Sequence, residues 1–77
     1  MTPAERRAAV ARTLGPLPAD VANVNVVQDA RYRLVTAHLS GVRSEIDRYT
    51  AYEAGWIADT REQRARLEKA RREAARG

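Results

Sequence analysis

Between Tyr32 and Tyr49 an apolar side chain occupies every step of an alternating three-and-four spacing: Tyr32, Val35, Leu39, Val42, Ile46 and Tyr49. A repeat of about 3.5 residues marks the seam of a coiled coil or helical bundle. The same frame runs on through Glu53, Trp56, Thr60, Gln63, Leu67, Ala70 and Ala74, and no proline occurs after Pro18. The spacing predicts one long helix over residues 27–75.

Two glycines qualify that prediction. Gly41 and Gly55 fall inside the pattern, and glycine in an exposed helix costs about 1 kcal/mol relative to alanine. A break near Gly41 or Gly55 would fold the rod into a hairpin that supplies part of its own partner surface. Asp59 with Glu62, and Thr60 with Gln63, match the capping-box spacing, so a separate last helix from about residue 60 is an alternative.

The start of the chain predicts a short first helix over residues 3–14. Thr2, Pro3 and Glu5 stand where an N-cap, a first-turn proline and a capping-box partner belong, and Gly15 with Pro16 ends the element. Residues 15–26 are expected to form a linker that turns helical near Asp20, which is placed to cap it. The expected fold is therefore all-α: a capped N-terminal helix, a linker and a long heptad-patterned helix in a coiled coil or bundle.

A second stripe lies opposite the first. Ala30, Ala37, Ser44, Ala51, Ala58 and Ala65 recur every seven residues, flanked by Gly41 and Gly55. Small side chains permit a second backbone to approach closely, although an alanine stripe also arises simply because alanine is the best helix former.

A chain of 77 residues buries only a thin core, and small folds are usually supported by disulfides, a metal or a partner subunit. The sequence has no Cys and a single His, which removes disulfides and leaves too few ligands for a zinc site. A partner chain is the remaining support. In a parallel homodimer Arg66 would face Arg71, so antiparallel packing, a larger bundle or a different protein fits better. The expected interface comprises Val35, Leu39, Val42, Ile46, Tyr49, Tyr52, Trp56 and Leu67. Bulky aromatics concentrate around Tyr49, Tyr52 and Trp56, where the N-terminal helix or a partner is expected to dock. Glu53, between Tyr49 and Trp56, requires an arginine from another chain, a register-fixing role, or water.

Catalytic constellations are missing. No phosphate-cradling glycine loop is present, neither Ser40 nor Ser44 sits in a nucleophile motif, and His38 has no evident partners. No enzyme activity, cofactor, metal or small-molecule substrate is inferred. No apolar run approaches the roughly 20 residues of a membrane span, and Glu5, Arg6, Arg7 and Arg12 interrupt any secretory signal. A cytoplasmic protein, or a component of a phage particle, is expected.

The net charge of +4 is carried chiefly by arginine. With abundant alanine this points to a GC-rich genome, bacterial or phage, which weakens any case that arginine was selected for phosphate binding. Arg61, Arg64, Lys69, Arg71 and Arg72 are the candidates for nucleic-acid contact. Glutamates dilute them, and Glu62 with Arg66 and Glu68 with Arg72 are spaced to form helix-supporting pairs. The leading expectation is a non-enzymatic assembly or adaptor protein acting through helix contacts, self or heterologous; the alternative is a basic helical nucleic-acid-binding protein.

Overall fold

The computed structural model describes residues 1–77 and contains three helices: α1 (Pro3–Leu14), α2 (Asn25–Ser40) and α3 (Arg43–Arg76). The start of α1 is the capping box read from the sequence. The Thr2 hydroxyl accepts from the Glu5 amide at 3.1 Å, and the Glu5 carboxylate accepts from the Thr2 amide at 3.2 Å. Gly15, at φ +78°, ends the helix as its amide donates back to the Ala11 and Arg12 carbonyls.

The long helix is divided at the first of the two suspect glycines. Gly41 adopts the left-handed conformation, φ +72° and ψ +7°, and its amide closes α2 on the Ala37 carbonyl. Val42 is extended and α3 begins at once. Gly55 lies inside α3, which also runs through Thr60 without the break that its capping-box spacings offered. What separates the glycines is Ser40. Its hydroxyl sits 2.7 Å from the Ala37 carbonyl, 3.0 Å from the Glu45 carboxylate and 3.4 Å from the Val42 amide, bridging the corner. Asp20 does not cap α2, which starts at Asn25 after a turn in which Val21 is completely buried.

The hairpin changes the phase of the seam. Val27, Ala30, Leu34 and Ala37 are buried and line the side of α2 turned to α3. Two of these belong to the alanine stripe. Opposite them, Ile46, Tyr49, Glu53, Trp56, Ile57 and Thr60 of α3 are half-buried. The Tyr32, Val35, Leu39 line turns instead toward α1, where the Arg7 guanidinium lies 4.7 Å from the Tyr32 ring centre and hydrogen-bonds Thr36. The expected frame assumed one continuous helix. Once the chain reverses at Gly41, nothing requires α2 to keep the phase of α3. α1 packs on α2 alone and does not reach the aromatic cluster of α3.

Six residues are buried in the whole chain, none of them in α1 or α3. The radius of gyration is 16.1 Å, against about 11.5 Å for a compact chain of this length. The accessible surface is 5720 Å², about 1,000 Å² more than a compact monomer of this mass exposes. The excess lies in α3: its 34 residues are roughly twice the 16 of α2, and every residue after Thr60 is exposed.

The two glycines respond oppositely to a methyl group. No atom crowds either Cβ position, so conformation decides. Gly41→Ala forces a left-handed alanine and is expected to lower stability by about 1–2 kcal/mol. Gly55→Ala improves helix propensity and is expected to raise it by about 0.5–1 kcal/mol. Denaturant titration in dilute solution measures both, and shifts of the same sign would contradict the hairpin.

Candidate functional site

Two arginine clamps hold the elements together. In the first, Arg31 of α2 reaches across to Glu53 of α3, with Nε 2.6 Å from Oε2 and Nη2 3.2 Å from Oε1. Its remaining nitrogen, Nη1, donates to the Gly15 carbonyl at 2.5 Å. One guanidinium thus joins the end of α1, the middle of α2 and the middle of α3. Both side chains are largely covered, 17% and 13% exposed. Glu53 therefore finds its arginine within the same chain. Arg31 escaped the sequence analysis because the pairing exists only after the chain reverses at Gly41.

In the second clamp Asp20 of the linker accepts two hydrogen bonds from Arg61, at 2.8 and 2.9 Å, while Arg64 donates to the Asp20 main-chain carbonyl. The hydrogen bond from Arg61, with its charge and that of Arg64, holds the Asp20 carboxyl below the ordinary carboxylate value of 3.8. Arg61 and Arg64, two of the five nucleic-acid candidates, are thereby engaged in pinning the linker across α3. Lys69, Arg71 and Arg72 are exposed and form no ion pair. Glu62 and Arg66 make the expected pair at 2.5 Å, whereas Glu68 and Arg72 do not.

The expected interface residues separate into three groups. Val35 is buried inside the chain; Ile46, Tyr49 and Trp56 are half-buried toward α2; Leu39, Val42, Tyr52 and Leu67 are exposed. Tyr49, Tyr52 and Trp56 form an edge-to-face series with ring centres 6.0 and 6.2 Å apart. Tyr52, Gly55, Trp56 and Asp59 border a shallow, open hollow of about 250 Å³ on the outer side of α3. A second hollow, about 360 Å³, lies between α1 and α2 beside Tyr32 and Val35. No three His, Cys, Asp or Glu side chains gather in an ion-binding cluster. No helix is long and apolar enough to cross a membrane.

Charge is segregated along the chain. Residues 1–60 hold seven basic and seven acidic side chains, and residues 61–77 hold seven basic and three acidic, so the entire +4 lies in the last part of α3. Chemically the molecule is a neutral three-helix body carrying a cationic helical arm. No protein family, curated protein or solved structure matches this chain.

Removing either member of the first clamp leaves the other largely covered and without its ion-pair partner. Arg31→Ala or Glu53→Ala is expected to destabilise the fold by about 2–4 kcal/mol. A double-mutant cycle followed by chemical denaturation should show strong coupling, and additive losses would place the pair outside the folded state's energetics.

The second clamp makes stability sensitive to acid. Because Asp20 titrates lower folded than unfolded, its contribution is complete above the ordinary value of 3.8 and is lost as pH falls through the folded value. Asp20→Asn is expected to melt below the wild type near pH 7, with the two melting curves converging toward pH 2–3. A constant gap across that range would remove Asp20 from the acid transition.

Proposed function

We propose that this chain is a non-enzymatic helical assembly or adaptor protein, with α3 as the element it presents to other proteins. The observation that carries the proposal is the mismatch in length between α2 and α3. The frame Ile46, Tyr49, Glu53, Trp56, Thr60 is half-buried within the chain and continues as Gln63, Leu67, Ala70 and Ala74, all exposed beyond the reach of α2. Leu67 is 51% exposed. A partner helix laid against the arm would extend the hairpin's seam in register, with Arg71 on its flank. Its own flank would be acidic, to match. Cytoplasm or a phage particle would suit such a role.

The arm's charge supports a second class of partner. Lys69, Arg71 and Arg72 form no ion pairs and all the net charge lies there, which favours phosphate. Binding of that kind should fall steeply between about 50 and 200 mM salt, whereas seam contacts should persist.

A photo-crosslinking amino acid at position 67 of the full chain, irradiated in the native host, separates the two. A discrete protein adduct that disappears when Ala70 and Ala74 are both changed to Glu is expected. Adducts to RNA or DNA alone, lost with Lys69→Gln, Arg71→Gln and Arg72→Gln together, would replace the proposal with nucleic-acid binding.

A further inference from the structure

We infer that the outer face of α3 is a contact surface for a second copy of this chain, the two α3 helices crossing antiparallel with their Gly55 residues opposed. The inference names one partner within the assembly role proposed above, on a different face from the arm's seam.

The face is set by helical geometry. At about 100° per residue, Arg48, Tyr52, Gly55, Asp59 and Glu62 lie on one line, bordered by Ala51 and Ala58. That line is rotated by roughly 120° from the Ile46, Tyr49, Glu53, Trp56 side against α2. The Asp20 clamp occupies another flank, and this one is open: Arg48, Ala51, Tyr52, Gly55, Ala58 and Glu62 are exposed, and only Asp59, which accepts from Gln63, is half-buried.

Gly55 has no role within the monomer. Its backbone is helical, its φ is not positive, and nothing lies within 4 Å of a Cβ built there. A glycine in that setting weakens the helix without benefit to the isolated chain. It does permit close approach of a second backbone, and the small-residue stripe widens the opening on either side. Beside it sits the hollow lined by Tyr52 and Trp56, with Tyr52 39% exposed.

Charge selects the occupant. Arg48 stands seven residues before Gly55 and Glu62 seven residues after it, with Asp59 between. In an antiparallel pair centred on Gly55, Arg48 of each copy meets Glu62 of the other, and the twofold axis makes both contacts at once. Tyr52 falls opposite Ala58, and Asp59 opposite Ala51, so no like charges meet at the crossing. The existing Glu62–Arg66 pair is an exposed one-turn contact, worth little, and Glu62 can serve both arginines. A parallel pair would instead set Arg48 against Arg48 and Glu62 against Glu62. An interface of four to five helical turns is small, so association is sought over a wide concentration range.

The test is sedimentation equilibrium of the full chain over about 1–500 μM, with circular dichroism confirming that each variant remains helical. The wild type is expected to dimerise. Arg48→Glu and Glu62→Arg should each weaken association about tenfold, and combining them should return it to within about threefold of wild type. Gly55→Gln should give a helical monomer. A wild type that stays monomeric, or a dimer indifferent to all these changes, would overturn the inference. A heterologous adduct at position 67 would in that case leave the assembly role standing, and loss of both would remove the two together.

Discussion

The geometry of this protein depends on one guanidinium. Arg31 satisfies the Gly15 carbonyl at the end of α1 and both oxygens of Glu53 in α3, so the three helices meet at a single charged fork. Hydrophobic burial alone would define their relation poorly. The core is Val21, Val27, Ala30, Leu34, Val35 and Ala37, and alanines and valines on a smooth surface tolerate sliding. A planar fork against a carboxylate tolerates much less, because a shift of one helical turn would leave largely covered charge unpaired. Its effect is on register as much as on stability.

Small residues have two fates here. Ala30 and Ala37 are covered, bringing α2 close to α3, while Ala51 and Ala58 from the same seven-residue series face solvent. The glycines divide similarly. Gly41 performs conformational work at the corner, whereas Gly55 is an unforced weakness in a long helix. A series that looked like one stripe on one rod has its two α2 members inside and its four α3 members outside, because the rod turns back on itself.

The body and arm have different physics. Through residue 60 charges balance and the chain's whole buried core is found; beyond it the helix keeps its apolar spacing, is exposed throughout and gathers the net charge. Glu62 with Arg66 supports that arm locally, yet an isolated helix of this length is marginal in water. Packing against another molecule would supply what α2 is too short to provide, and this underlies the assembly role we propose.

Local chemistry was legible in the residues themselves. The helical class, the capping box at Thr2 and Glu5 and the stop at Gly15 follow from interactions within a few residues, which any tertiary context leaves intact. A break at Gly41 or Gly55 was legible as a pair of alternatives, and Glu53 as a carboxylate needing a partner. The choice of Gly41, the rotation of the seam from Tyr32 and Leu39 to Ala30 and Leu34, and the identity of Arg31 and Arg61 as clamps came only from the tertiary structure. The clamps join residues 22 and 41 positions apart, and periodicity along a chain carries no information about which of its turns will fold back to meet another.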